Sequence, residues 1–148
     1  MGGPQGCGVR IMQERPSIRQ VRAGAIRELE LTALPGDAPF VSKPDERVWA
    51  AYAGSKPVSF IVMQTILPGT WYLARAGTLP SHRGQGLYPR LLTCAFAYGR
   101  KHGIVGCITD TARWNTASAN GLIKAGFKLY DPQHRWAFED GLYWSRTL

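Results

Sequence analysis

Residues 79–102 read LPSHRGQGLYPRLLTCAFAYGRKH, and the change of pattern inside them decides the fold. Up to Leu79 the chain reads as a strand. It then passes through Arg83-Gly84-Gln85-Gly86 and enters a helical pattern in which Leu87, Leu91, Cys94, Ala95 and Tyr98 recur every three or four residues. Arg100, Lys101 and His102 fall in the last turn, where positive charge suits the helix dipole, and Gly103 follows as a stop. A glycine-bearing loop thus feeds a helix N-terminus, whose unpaired N–H groups and partial positive charge suit a phosphate. Pro89 is tolerated in the first turn, where no intrahelical acceptor exists for its missing N–H. The spacing is neither a Walker loop, which ends in Gly-Lys-Ser/Thr, nor the dinucleotide fingerprint, because Pro89 stands where a third glycine belongs.

Downstream, Ile104 to Thr109 is a short apolar run bounded by Gly103 and Asp110, as expected of a buried parallel strand. Asn115 is a good N-cap for a helix over 116–125 that Gly126 closes before Phe127. Phe127–Tyr130 and Leu142–Leu148 read as a final antiparallel pair. Upstream, Val48–Ala53 and Val58–Thr65 read as strands joined by a four-residue loop, Gly54 to Pro57. Pro68-Gly69 is the next turn, and Trp71–Leu79 the third strand, where Gly77 marks a bulge or a close backbone approach. Ser17 to Ala33 carries Ile18, Val21, Ala25, Leu29 and Ala33 near helical spacing, with Gly24 able to split the helix. Val9–Met12 suits a short first strand. The Pro-rich segment 35–46 reads as a loop.

Strand, Arg-Gly-Gln-Gly loop, helix, strand, then Asn115 opening a helix that ends in Gly126-Phe127: this order resembles the GCN5-related N-acetyltransferase (GNAT) family. The resemblance is strongest over Thr78–Tyr88 and Asn115–Phe127. It implies an α+β fold: a mixed, mostly antiparallel sheet with flanking helices and a splayed parallel strand pair. Residues 1–8 would be a flexible tail and 9–148 a single domain of this type. The implied function is transfer of an acetyl group from acetyl-CoA, the co-substrate, to a primary amine. A different class remains as the alternative, a non-catalytic acyl-CoA-binding or nucleic-acid-interaction module on the same fold.

The resemblance also implies a site. The bulged strand end maps to Ala76, Gly77 and Thr78, whose unpaired backbone groups would bond the pantetheine arm. The pyrophosphate arm maps to Arg83, Gly84, Gln85, Gly86, Leu87 and Tyr88. The family pattern, Arg/Gln-x-x-Gly-x-Gly/Ala, matches at Arg83 and Gly86 and departs at Tyr88, which would narrow the arm or stack near it. Asn115 would bond the cofactor arm, cap its helix, or both. Attack by a neutral amine needs a proton acceptor and a donor for the departing thiolate. Asp110 stands where some relatives keep a base; the plain alternative is a polar residue ending a strand. Leu122 replaces the usual tyrosine donor, leaving Tyr130, Tyr88 or a water to substitute. His134 is a further candidate on the acceptor side, His82 a loop residue and His102 a helix-end cation. Trp136, Phe138, Tyr143 and Trp144 read as core and sheet aromatics.

The rest of the composition sets bounds. A chain of 148 residues with 45% hydrophobic content suits one core. Three cysteines without a Cys-x-x-Cys pair argue against disulfides or zinc, so no metal is expected, and Cys94 and Cys107 fit as core residues. That cysteine usage, with no apolar leader and no membrane span, leads to an expectation of a cytoplasmic protein, monomer or homodimer. The net charge of +8 is scattered rather than blocked; an anionic cofactor accounts for part of it, and nucleic acid is not required.

Overall fold

A computed structural model describes residues 15–34, 43, 45–136 and 140–148. The proposed first strand at Val9–Met12, the tail before it, most of the 35–46 loop and Phe138 lie outside these. The described residues build one seven-stranded sheet with strand order β1-β2-β3-β4-β5-β7-β6. The strands are β1 (Ser17–Val21), β2 (Glu46–Ala53), β3 (Lys56–Leu67), β4 (Thr70–Thr78), β5 (Gly106–Thr111), β6 (Lys128–Leu129) and β7 (Leu142–Thr147). The helices are α1 (Arg27–Ala33), α2 (Leu87–Lys101) and α3 (Thr116–Lys124). Every neighbouring pair is antiparallel except β4 and β5. The mixed, mostly antiparallel sheet and flanking helices match the expectation.

The N-terminal third corrects the sequence reading. Ser17–Val21 is not helix but an outer strand, paired with β2 through Ile18↔Ala51 and Val21↔Val48. Residues three apart fit the helical period and fall on opposite faces of a strand, yet both are β-branched, and pairing along the β2 edge decides the matter. A single 3-10 turn, Ala23–Ile26, then leads into α1. The inward residues are Ile26, Leu29 and Ala33, so Ala25 faces solvent. The hairpin after β2 is also tighter than expected. Lys56 and Pro57 already pair with Ala53 and Tyr52, leaving Gly54-Ser55 as the turn. A register shift at Ala51/Tyr52 admits Pro57, which has no N–H to give the ladder.

Helices cover both faces of the central meander. On one, Trp49 and Trp71 meet Tyr98 of α2, with ring centroids 5.6 Å apart for the tryptophans and 5.5 Å for Trp49–Tyr98. Cys94 lies on the outer side of α2 and is exposed, against expectation, whereas Cys107 is buried. On the other face, α1 is tied down by Arg75, which donates 2.8 Å bonds to Glu30 and Glu46. No helix of the described residues is long and apolar enough to cross a membrane.

Gly77 proves to be a close approach rather than the bulge. Its register with Phe60 is regular; the shifts between β3 and β4 fall at Ala74, between the Val62↔Arg75 and Met63↔Leu73 pairs, and at Ile66, between Thr65↔Trp71 and Leu67↔Thr70. A Cβ at Gly77 would lie 2.8 Å from Phe60 Cε1 and 3.0 Å from Ala33 Cβ. Gly77→Ala is therefore expected to destabilise the fold by about 1–3 kcal/mol through overpacking. Urea unfolding checks this; an unchanged midpoint would mean that α1 moves aside freely.

Candidate functional site

The parallel pair forks. Backbone partners run Thr70↔Gly106, Trp71↔Cys107 and Tyr72↔Ile108, then stop, although both strands continue. The Thr109 hydroxyl donates to Leu73 O at 2.8 Å across the first step of the gap. Beyond it, the edge of β4 facing β5 has no strand partner among the described residues. At this end of β4, Ser59 Oγ donates to Gly77 O at 3.1 Å and lies 2.7 Å from Thr78 Oγ1. Those bonds fix the outer edge of the strand and leave the inner edge open.

The loop after β4 turns back over the fork. Arg83 Nε donates to Thr78 O at 3.2 Å, joining the loop to the strand end. Gly84 and Gly86 hold φ of 74° and 75°, and a side chain at either would meet nothing within 4 Å. Glycine is needed there for the left-handed backbone, not for room. Gly86 caps α2 without any side-chain bond, and no acid lies in the first turn. The N–H groups of Gly84, Gln85 and Gly86 have no backbone acceptor among the described residues. Those of Leu87 and Tyr88 sit in the first turn, which has no intrahelical acceptor to offer. These five donors at a dipole's positive end have the chemistry that suits an anion.

A cleft of ≈ 540 Å³ joins loop and fork. One wall is Ala76, Gly77 and Thr78, with Ala33 and Leu34 behind; the second is His82, Arg83, Gly84, Gly86, Leu87, Tyr88 and Pro89. The third comes from α3: Ala117, Ser118, Asn120, Gly121 and Lys124. So the structure brings together Ala76, Gly77, Thr78, Arg83, Gly84, Gly86, Leu87 and Tyr88. Gln85 sits at the exposed loop apex, outside this wall. Asn115 also stands outside it and caps α3, its Oδ1 accepting from Ser118 N–H at 3.2 Å. Sequence reasoning missed Asn120 and Lys124, though 117, 120, 121 and 124 are the i, i+3, i+4, i+7 positions of one helix face. A depression of ≈ 780 Å³ beside β1 is larger, but it includes Glu46 and no run of free N–H groups.

Asp110 and Tyr130 are linked through Trp136. Asp110 Oδ1 accepts from the Tyr72 hydroxyl at 2.5 Å and from Trp136 Nε1 at 3.4 Å. Burial, then the bond to Asp110, pushes the Tyr72 phenol well above its ordinary range, so it stays protonated and donating. Trp136 is 44% exposed, not a core residue as expected; its ring lies 4.5 Å from Tyr143 and 6.2 Å from Tyr130. Burial raises the Tyr130 phenol too, followed by the influence of Tyr143 and Asp110. Asp110 thus stands in an aromatic surround with Oδ2 uncommitted among the described residues. Leu122 is buried in the core. His134 is exposed, and His102 stacks on Tyr98 at 3.9 Å.

Free N–H donors, room, absence of acid in the helix's first turn and the cations Arg83 and Lys124 all fit a phosphate-bearing cofactor with a long amide-containing arm. Comparison with known proteins points the same way. Residues 17–127 match the sequence model of the acetyltransferase (GNAT) family. No curated protein matches the chain by sequence. Among solved structures, the ribosomal-protein-S18-alanine N-acetyltransferase of Escherichia coli superposes with a TM-score of 0.72 at 16% identity, covering 89% of this chain and 93% of that one. The PaiA N-acetyltransferase of Thermoplasma acidophilum, solved in complex with coenzyme A, gives 0.72 at 16% over 89% and 99%. The IAA acetyltransferase of Bacillus cereus gives 0.71 at 15% over 90% and 99%.

Proposed function

The chain belongs to the acetyltransferase (GNAT) family, and on that premise we propose that it transfers an acetyl group from acetyl-CoA to a primary amine. The observation that carries this reading is the run of N–H groups from Gly84 to Tyr88 opening onto a cleft that extends to the unpaired edge of β4. Acetyl-CoA supplies a thioester, an acyl group already activated toward amines. The N–H groups of the loop, with Arg83 and Lys124, would hold its phosphates by charge-assisted bonds. The inner edge of β4 at Ala76–Thr78 would bond the pantetheine amides as a strand would. Asn115 would act mainly through α3, which its cap holds in place, and Gln85 through its main-chain N–H alone.

On the other side of the fork, Asp110 would receive the proton of the attacking amine, directly or through a water. Tyr72 and Trp136 fix one oxygen of the carboxylate, so the second is aimed rather than free to rotate. Tyr130, on the same side as Asp110, fits a role in positioning the acceptor better than one as thiol donor. The amine itself lies beyond this reading: a peptide N-terminus, a lysine, a polyamine, an aminoglycoside and a small metabolite each offer the group.

CoA binding is the first test. A ligand at about a hundred times its Kd adds about 2.7 kcal/mol to native stability. For a chain of this size that raises Tm by about 5–10 °C. No thermal shift and no calorimetric heat at saturating CoA would remove the cofactor assignment.

A further inference from the structure

Where β4, β5 and β7 run side by side, the two faces of the sheet differ. Trp71, Cys107 and Arg146 lie in register across them, and Trp71 and Arg146 meet Tyr98 and Phe96 of α2. Side chains alternate along a strand, so Tyr72, Ile108 and Ser145, also in register, point to the face that α2 leaves. Two residues further along β5, Asp110 points the same way, beside its partner Tyr143. Tyr130 joins them, its N–H bonded to Tyr143 O at 2.9 Å. Trp136 lies edge-on to Tyr143 at 4.5 Å and donates to Asp110 Oδ1. Four aromatic rings thus surround one carboxylate. Tyr143 is the buried floor, Tyr72, Asp110 and Tyr130 are half-buried, and Trp136 is exposed, so a ligand can reach them.

The charge on this face is equally particular. Asp110 is the only acid in β4, β5, β6 and β7. Cations border it: Lys128, in register with Ser145, shares the face, and the Arg135 guanidinium stands 5.4 Å from the Tyr143 ring. Asp131 is already engaged by Arg135, and Glu30 and Glu46 by Arg75. That balance suits one added positive charge, not two. Resting on the acetyl-transfer reading above, we infer that the acceptor is a monoamine carried on an aromatic or other apolar body, its ammonium at Asp110 Oδ2 and its body against Trp136 and Tyr130. Aromatic faces attract a cation, and their edges and faces pack flat apolar groups. A second ammonium, as in a polyamine or an aminoglycoside, would approach Lys128 and Arg135 with no acid to receive it, and like charges so placed are costly.

The test is calorimetric titration of three amines into the protein, with and without saturating CoA. Phenethylamine carries one charge and a ring, propylamine one charge without a ring, and putrescine two charges. Phenethylamine should bind at least about tenfold more tightly than either, the worth of covering about half of a phenyl ring. Trp136→Ala should cut its advantage over propylamine by about 2- to 10-fold. Trp136→Phe, which keeps a ring without the N–H, should restore most of that advantage. A ratio of two amines in one variant is insensitive to a general weakening of the site, and circular dichroism confirms that each variant folds. Putrescine binding as tightly as phenethylamine, a preference untouched by Trp136→Ala, or no binding of phenethylamine overturns the inference. Acetylation is followed separately: binding in the expected order with no amine acetylated from acetyl-CoA bears out the selectivity of this face and removes the transfer reading instead.

Discussion

Gly86→Glu should abolish CoA binding in a protein that still folds. A side chain at position 86 meets no other atom within 4 Å, so the substitution introduces no clash in the core. It has two local consequences. The left-handed φ of 75° is strained for any residue with a Cβ, at about 1–2 kcal/mol. The carboxylate also stands among the N–H groups of the loop, where it occupies the phosphate's place and repels its charge. Each charge-assisted bond lost is worth about 1.5–3 kcal/mol, so losing two weakens binding by at least about 10²-fold before repulsion is counted. Gly86→Ala separates the effects, since it carries the strain without the charge and should bind far better than Gly86→Glu. Calorimetry with CoA, alongside circular dichroism to confirm folding, makes the measurement. Near-normal affinity in folded Gly86→Glu would mean that the phosphates sit elsewhere.

Asp110→Asn should lower kcat by about 10²–10⁴-fold, the usual worth of a positioned general base, and leave CoA affinity unchanged. The amide keeps the carboxylate's size and can still accept from Tyr72 and Trp136 through its oxygen, so the surround survives. What it loses is the ability to take a proton. Steady-state rates with CoA affinity measured in parallel separate these effects. Full activity in Asp110→Asn at every pH would reduce Asp110 to a strand residue that anchors Tyr72 and Trp136.

Much of this was legible in the residues themselves. The meander, α2, β5, α3 and the closing strands follow from periodicity and from the glycines and prolines between elements. The turn into α2 follows from Arg83–Tyr88, because a left-handed backbone at a helix start leaves few residue types but glycine. The N-terminal third was not legible: Ile18 and Val21 stand at helical spacing, and only the edge of β2, with which they pair, makes the segment a strand. Cys94 failed for a related reason, since it lies at the margin of the apolar face of α2, and helical spacing does not fix that margin. The surround of Asp110 could not be read at all. Tyr72, Asp110 and Trp136 are far apart in sequence; pairing of β4 with β5 brings Tyr72 to Asp110, and Trp136 arrives on the segment between β6 and β7, beside β5. Glycine at position 77 allows a bulge or a close approach; it is the close approach, to Phe60 and Ala33, and the irregularities of the β3/β4 pair sit at Ala74 and Ile66.

The central claim, acetyl transfer to an amine, is tested most directly by following the label from carbon-13 acetyl-CoA. The protein would be mixed with peptides bearing free N-termini, lysine peptides, polyamines, aminoglycosides and small amines, and the products read by mass spectrometry. The account predicts labelled acetyl on the nitrogen of one class, formed with CoA release in equal amount and strongly slowed in Asp110→Asn. Bound acetyl-CoA that leaves every amine of the panel at the protein-free rate would contradict it.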